Sequence, residues 1–262
     1  MSKIFAVANQ KGGVGKTTTS VNLAASLSVT RNRVLLVDLD PQGNATMGSG
    51  VDKSSLELSL YDALVDGVAF DTVCVSAAEA SYDLLPSNGD LVAAEAQLFA
   101  MEEREFKLKT LLDAQRTRYD YIIIDCPPSL NMLTINALVA AEGVLIPMQC
   151  EYYALEGLAA LMQTVETIAE HLNPMLRIEG IIRTMYDPRS RLTIEVNRQL
   201  FQHFGDTVYR TVIPRNVRLA EAPSFGLPVI KYDRTSRGAV SYLALAGEIL
   251  RRNDERGSNA AN

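Results

Sequence analysis

The chain has 262 residues, of which 47% are hydrophobic and 21% are charged, a balance typical of a globular protein and not of a disordered chain. Its three cysteines are widely spaced and form no C-x-x-C pair, so we expect neither a zinc site nor a disulfide framework. It shows no signal-peptide core and no stretch of about 20 apolar residues, so we expect a cytoplasmic protein without a membrane span.

Charge is distributed unevenly along the chain. Residues 1–175 carry a net charge of −11, whereas residues 176–262 carry +5, and 13 of the 14 basic residues in this C-terminal third are arginine. An arginine-rich third in an acidic protein indicates a local anion-binding face. A solvated surface of ordinary ion pairs is the alternative that charge alone leaves open.

Short apolar runs alternate with helix-period segments along the whole chain. In chain order, strands are predicted at residues 4–8, 34–38, 82–85, 121–125, 144–148, 180–184 and 211–213. Helices are predicted between them at residues 17–29, 91–99, 107–117, 134–141, 155–170 and 194–204. Several strands are apolar on both faces, as in a parallel sheet covered by helices on each side. We therefore predict one doubly wound, mostly parallel α/β domain at residues 1–252 and a polar, disordered tail at residues 253–262.

The first predicted strand leads into a glycine-rich loop, NQKGGVGKTTT at residues 9–19, and then into a helix. Strand, glycine-rich loop, Lys-Thr and helix together form the context of a phosphate-binding P-loop. Glycines let backbone N–H groups turn towards phosphate oxygens, and the helix N-terminus adds its positive dipole end. We assign Lys16 to the β- and γ-phosphates and the Thr17 hydroxyl to Mg²⁺. Gln10 stands where the motif usually has its first glycine, and a second lysine, Lys11, stands at the loop entrance.

Carboxylates follow two of the predicted buried strands. Asp125 ends the strand at 121–125, where a residue that holds Mg²⁺ directly or through water is expected. Asp38 and Asp40 follow the apolar run at 34–37 and, being two residues apart, point the same way. One of them could orient or deprotonate the attacking water. Capping of the next helix or an ion pair with lysine is the alternative for both.

The run CPPS at residues 126–129 follows Asp125 directly. Its two prolines make the loop stiff, because proline fixes one backbone dihedral. A stiff loop at this edge of the sheet is suited to sensing the γ-phosphate, and a simple turn is the alternative.

These motifs resemble those of the ParA/MinD ATPases. KGGVGKT at residues 11–17, with its extra lysine, resembles the deviant Walker A motif of that family. Four further motifs are similar to those of chromosomal ParA proteins of the Soj type: DLDPQGN at 38–44, DCPPS at 125–129, EYYALEG at 151–157 and IPRNVRLAEAPS at 213–224. The resemblance covers residues 1–250 and implies a P-loop ATPase with ATP and Mg²⁺ as cofactors.

The resemblance also implies a role for each matching residue. Lys11, Lys16 and Asp40 are the expected catalytic residues, where Lys11 reaches the nucleotide of the partner subunit in a face-to-face homodimer and Asp40 is associated with water activation. Nucleotide binding is implied for Lys11, Gly12, Gly13, Val14, Gly15, Lys16, Thr17, Thr18 and Asp125, with Pro214 and Asn216 at the adenine. Metal binding is implied for Thr17, Asp40 and Asp125.

Partners follow from the same resemblance. The ATP-bound dimer of Soj-type proteins binds double-stranded DNA without sequence preference through arginines of the C-terminal half. By position, Arg189 and Arg218 are the expected contacts here. The resemblance further implies slow hydrolysis, stimulated by a centromere-binding ParB-type partner that releases the dimer from the nucleoid.

Two other functions occur on the same fold. A membrane-recycling ATPase of the MinD type needs a C-terminal amphipathic helix, and this chain has no large apolar side chain after Leu250. A metabolic or redox enzyme, similar to dethiobiotin synthetase or the nitrogenase iron protein, is the second alternative. Cys126 is the only cysteine near the predicted nucleotide edge. An iron–sulfur cluster shared by two subunits would therefore have only one thiolate ligand from each subunit.

Overall fold

The protein is built around one eight-stranded sheet with helices on both faces. The structure, a computed structural model, describes residues 2–260, the last four of them by their backbone alone. The strands are β1 (Lys3–Val7), β2 (Val34–Asp38), β3 (Val75–Ala77), β4 (Tyr82–Leu85), β5 (Tyr121–Asp125), β6 (Gly143–Gln149), β7 (Arg177–Tyr186) and β8 (Val208–Pro214). The helices are α1 (Lys16–Val29), α2 (Asn44–Gly48), α3 (Leu60–Leu64), α4 (Phe70–Val73), α5 (Leu91–Phe99), α6 (Lys107–Asp113), α7 (Met132–Ala140), α8 (Ala154–His171), α9 (Arg191–Phe204), α10 (Val217–Glu221), α11 (Val229–Tyr232) and α12 (Arg237–Ala260).

The strands are arranged in the order β3-β4-β2-β5-β1-β6-β7-β8. All neighbours are parallel except β3 and β4, which are antiparallel. The predicted doubly wound, mostly parallel sheet is therefore confirmed. Strand β1 lies between β5 and β6, and β5 also pairs with β2, so the segments that follow β1, β2 and β5 meet at one edge of the sheet.

Alternate residues of the central strands pack against two separate helical layers. Ile4 and Ala6 of β1 belong to a core cluster shared with α3–α9, whereas Phe5 and Val7 belong to a second cluster shared with α1, α2 and α10–α12. All four side chains are fully buried. Burial on both faces explains the uninterrupted apolar runs in the sequence. No helix in the described part of the chain is both long and apolar enough to cross a membrane.

The C-terminal segment differs from the prediction. Helix α12 continues across residue 252 and through Ala260, so residues 253–260 are helical and the predicted disorder is corrected for them. The Asn253 side-chain amide donates to the Tyr121 hydroxyl at 3.2 Å, and Arg256 forms an ion pair with the fully buried Glu179. A buried carboxylate needs a cationic partner, and a polar composition alone does not reveal that need. Residues 261 and 262 of the predicted tail lie outside the described residues.

Candidate nucleotide-binding site

The glycine-rich loop turns sharply between β1 and α1. Gly13 and Gly15 have φ values of 73° and 88°, a left-handed conformation that glycine adopts without the strain other residues meet. Helix α1 begins at Lys16, directly after Gly15. The loop and the first turn of α1 line an open pocket that also involves Asp40 and Pro128. Backbone N–H groups and the helix dipole make this pocket suited to an anion.

Two side chains hold the loop to the sheet. The Asn9 amide donates to the Pro147 carbonyl of β6 at 2.8 Å and accepts from the Lys11 N–H at 2.9 Å. On the other side, the Thr184 hydroxyl of β7 donates to the Val14 carbonyl at 2.7 Å. Both ends of the loop are therefore fixed. Sequence reasoning missed both anchors; Asn9 lies within the motif and could have been found, whereas nothing local marks Thr184.

The two lysines of the loop occupy different environments. The Lys16 ammonium is buried and donates to the Lys11 carbonyl at 3.3 Å. Burial lowers the pKa of Lys16, while the carboxylates of Asp125 and Asp40 act against that decrease. The Lys11 side chain is exposed at the loop entrance and forms an ion pair with Glu151, which lies just beyond β6. One cation thus lies inside the pocket and another at its entrance.

Asp125 provides a buried carboxylate next to the loop. One of its oxygens, Oδ1, accepts from the Ser20 hydroxyl at 2.8 Å, whereas Oδ2 has no partner among the described residues. Burial and the neighbouring Asp38 carboxylate raise the pKa of Asp125, and the Thr17 and Ser20 hydroxyls oppose this increase. Asp40 lies closer to the surface, at 8% exposure, and accepts from the Gln42 N–H at 2.9 Å.

Asp38 has a different environment from Asp40, although both follow β2. Its Oδ2 accepts from the N–H and from the hydroxyl of Thr46, both at 2.7 Å, and its Oδ1 accepts from the Asp40 N–H at 3.3 Å. Burial raises the pKa of this carboxyl group. Because Thr46 lies in the first turn of α2, Asp38 holds the start of that helix, which agrees with the capping alternative.

The residues at this edge fit a magnesium ion that binds together with a nucleotide. The available donors are the Thr17 hydroxyl and the carboxylates of Asp40 and Asp125, and oxygen ligands are those that Mg²⁺ takes. The unpartnered Asp125 Oδ2 is the kind of buried acceptor that calls for a cation or a donor. No group of three His, Cys, Asp or Glu side chains among the described residues could hold a metal by itself. Phosphate oxygens and water would therefore complete the coordination.

A second pocket lies beside the phosphate pocket and suits a base. It is lined mainly by apolar groups and includes Pro214 and Asn216, the two residues expected at the adenine, together with Leu219 and Tyr242, which the sequence analysis did not single out. The Asn216 side chain also caps α10 by accepting from the Arg218 N–H. The two pockets share three lining residues: Gly15, Thr18 and Met185. A nucleotide can therefore place its base in one pocket and its phosphates in the other.

The CPPS loop borders the phosphate pocket through Pro128. Cys126 is 1% exposed, and burial raises the pKa of its thiol. Iron–sulfur clusters are held by several thiolates, and Cys126 is the one cysteine that this loop offers to the redox alternative.

The two arginines predicted to contact DNA lie on the surface and do not line either nucleotide pocket. The Arg189 side chain is 87% exposed and forms an ion pair with Asp187 at 2.9 Å. Arg218 pairs with Glu221 at 2.8 Å and with Asp233 at 3.4 Å. A phosphate group would have to compete with these carboxylates for each guanidinium.

Comparisons with known proteins identify the family of the chain. A family model described as an AAA domain matches residues 2–178. The sporulation initiation inhibitor protein Soj of Bacillus subtilis is 54% identical over 249 residues, which cover 95% of this chain and 98% of that protein. The chromosome partitioning protein ParA of Caulobacter vibrioides is 46% identical over 261 residues, which cover 99% of this chain and 98% of that protein. A solved structure described as cobyrinic acid a,c-diamide synthase from Mycobacterium smegmatis, with bound ADP and magnesium, has a TM-score of 0.85 at 37% identity and covers 97% of this chain and 96% of its own. The chain belongs to the Soj/ParA family of chromosome-partitioning ATPases.

Proposed function

We propose that this ATPase is a partitioning switch in which Mg²⁺-ATP closes a homodimer that binds DNA without sequence preference. Hydrolysis, stimulated by a ParB-type partner, then releases the dimer from the DNA. The observation that carries the proposal is the arrangement of two cations around one phosphate pocket, with Lys16 buried inside it and Lys11 exposed at its entrance. A buried cation can bind the nucleotide of its own subunit, and an exposed one can reach a nucleotide that approaches from outside.

The residues of the pocket support ATP binding and hydrolysis. Lys16 donates to a neutral carbonyl, and charged phosphate oxygens are stronger acceptors, so the ammonium would move to them. Thr17 and Asp125 are the residues we assign to Mg²⁺, which neutralises charge on the phosphates when it is bound. Asp40 is the most exposed of the three carboxylates at this edge and is the group we assign to orienting the attacking water.

Exposed apolar side chains at the same edge of the sheet support association of two copies. Tyr152 and Tyr153 are 75% and 72% exposed, contact each other edge to face, and follow Glu151. Leu130, which follows the CPPS loop, is also exposed. Large exposed apolar groups near one another mark an interaction surface. A second copy that covers this surface would bring its nucleotide towards Lys11, which then acts as a cationic finger in trans.

DNA binding rests on the arginine-rich C-terminal third and on the exposed Arg189 and Arg218. Arginine contacts to phosphates carry no sequence information, in keeping with binding anywhere on the nucleoid. Two half-patches on one duplex raise the avidity of a dimer without new contacts. Loss of the dimer after hydrolysis would therefore release the DNA.

The experiment that tests this function is DNA binding titrated with salt in the presence of ATP, ADP or no nucleotide. We expect binding with Mg²⁺-ATP only, and an affinity that falls steeply as salt rises, because phosphate contacts release counterions. DNA binding that is equal in all three nucleotide states would contradict the proposal. Vesicles of anionic lipid in the same assay test the MinD-type alternative.

A metabolic ATP-dependent synthase is the second candidate, because a structural relative at 37% identity is described as cobyrinic acid a,c-diamide synthase. Such an enzyme would hydrolyse ATP faster with cobyrinic acid and an amide-nitrogen donor. It would show no nucleotide-dependent binding to DNA. One ATPase assay with these additions, beside the DNA titration, separates the two functions.

A further inference from the structure

Glu151 lies between the exposed lysine of the loop and the base pocket. Its carboxylate forms the ion pair with Lys11, although 140 positions separate the two residues, and both side chains are about half exposed. When the Gln149 amide is oriented to satisfy its neighbours, it donates to Glu151 at 3.0 Å and accepts from Arg215 at 3.1 Å. Arg215 lines the base pocket. A continuous row of polar contacts therefore joins the base pocket to the Lys11 ammonium.

We infer that Glu151 is a positioning residue that holds the Lys11 side chain within the same subunit. The nucleotide of a partner subunit then replaces the Glu151 carboxylate as the contact of Lys11. This inference rests on the proposed function, in which Lys11 acts in trans. The Lys11 ammonium cannot stay on Glu151 and at the same time bind the partner's phosphates, so the two contacts compete. Glu151 thus restrains dimerisation until the partner's nucleotide displaces its carboxylate from Lys11.

The strength of this restraint follows from the exposure of the pair. Exposed ion pairs shift equilibria by roughly two- to fivefold, because water screens them. A triphosphate presents several charged oxygens and would displace the single carboxylate easily. The Glu151 contact is therefore weak enough for the partner's nucleotide to displace it and strong enough to raise the protein concentration that nucleotide-driven dimerisation needs.

The test compares Glu151→Gln with the parent protein in dimerisation driven by Mg²⁺ and a non-hydrolysable ATP analogue. We expect the protein concentration at half-dimerisation to fall by roughly two- to fivefold in the variant at low salt. The difference should disappear near 0.5 M salt, where the Debye length is about 4 Å and the ion pair is screened. Glu156→Gln is the matched control, because Glu156 is also exposed, lies in the first turn of α8 in the same segment and has no ion pair among the described residues.

A second measurement does not depend on dimerisation. In the nucleotide-free protein, labelling of Lys11 by an amine-reactive reagent, read by mass spectrometry, should increase severalfold in Glu151→Gln. It should not change in Glu156→Gln, and Glu151→Asp, which keeps the charge, should restore part of the protection.

The inference is overturned if Glu151→Gln leaves both the dimerisation midpoint and the Lys11 labelling unchanged. It is also overturned if the variant dimerises less readily than the parent, since Glu151 would then support association. If the parent protein does not dimerise with the analogue at any concentration, the proposed function fails. The labelling experiment still decides in that case whether Glu151 holds Lys11.

Discussion

Asp38 and Asp125 lie opposite each other in register on the parallel neighbours β2 and β5, and both carboxylates are fully buried. The Asp38 carboxylate accepts hydrogen bonds from Thr46, whereas Oδ2 of Asp125 has no hydrogen-bond partner among the described residues. Burial penalises the charged forms of both groups and raises both pKa values; repulsion from Asp38 adds to the penalty at Asp125, and repulsion from Asp40 adds to it at Asp38. A divalent cation held by Asp125 would relieve that repulsion, which links metal binding at this edge to the stability of the sheet.

This pair predicts a pH dependence of stability. The folded-state pKa values of Asp38 and Asp125 are raised, so between pH 4 and neutrality the folded protein binds protons that the unfolded chain, with carboxyl pKa values of about 3.9, has already released. Stability falls as pH rises wherever the folded state binds more protons. We therefore expect the unfolding temperature of the nucleotide-free protein in EDTA to decrease from pH 5 to pH 8.

Asp125→Asn isolates this effect, because it removes one member of the pair. The variant should show a clearly flatter dependence of unfolding temperature on pH than the parent protein. Asp66→Asn, which changes an exposed carboxylate without a side-chain partner among the described residues, should follow the parent curve. Equal slopes for Asp125→Asn and the parent would show that the pair does not titrate in this range.

Lys16→Ala should abolish the response to nucleotide. The ammonium is the buried cation of the phosphate pocket, and truncating one partner of a buried charge pair costs about 2–5 kcal/mol, or at least thirtyfold in affinity. Titration with a fluorescent ATP analogue measures the loss. Lys109→Ala, which removes a lysine of a surface ion pair on α6, serves as the control and should bind normally. Unchanged ATP binding or turnover in Lys16→Ala would remove the loop from the mechanism.

Asp40→Ala should separate hydrolysis from binding. If Asp40 orients the attacking water, its loss lowers the ATPase rate by about 10²–10⁴-fold, the usual contribution of a positioned acid or base. The variant should still dimerise and bind DNA with ATP, because Lys16, Thr17 and Asp125 remain. Single-turnover hydrolysis and DNA binding are measured together, with Asp66→Ala as the control. Hydrolysis at the parent rate would exclude Asp40 from the reaction.

Because Arg189 and Arg218 form ion pairs, DNA affinity should fall when the arginines are removed and rise when a paired carboxylate is removed. Replacing both arginines by alanine should weaken DNA binding and reduce the slope of log affinity against log salt by roughly two, about one per lost phosphate contact. Glu221→Gln should strengthen DNA binding, because it releases Arg218 from its nearer carboxylate.

The matched control for the arginines is Arg198→Ala, which removes another exposed, paired arginine on α9. It should leave the salt dependence of DNA binding unchanged. Dimerisation with ATP should be the same in all of these variants. If DNA binding survives the loss of both Arg189 and Arg218, the DNA-binding face lies elsewhere on the chain.

The sheet could be predicted from sequence because its strands are buried on both faces. Runs such as 34–37 and 122–124 are apolar without interruption, and each precedes an acidic residue at the edge that carries the site. Strand β3 could not be predicted, because it has only three residues and pairs antiparallel at the sheet margin. The helical end of α12 was also missed, since its partner Glu179 lies on a distant strand.

In the candidate site, features set by a local sequence pattern could be predicted, whereas contacts between residues far apart in the chain could not. The loop and the carboxylates that follow β2 and β5 are local patterns, and sequence identifies them with the correct edge of the sheet. Thr184 anchors the loop from 170 positions away, and Glu151 meets Lys11 across 140 positions. Pairings of this kind depend on the order of the strands in the sheet, which spacing along the chain does not reveal.

Light scattering after size-exclusion chromatography, with Mg²⁺ and a saturating non-hydrolysable ATP analogue, tests whether nucleotide and association are coupled. We expect a dimer with the analogue, a monomer with ADP or without nucleotide, and a monomer for Lys16→Ala in every condition. A parent protein that remains monomeric with the analogue and Mg²⁺ would contradict this expectation, because Lys11 would then have no second nucleotide to reach.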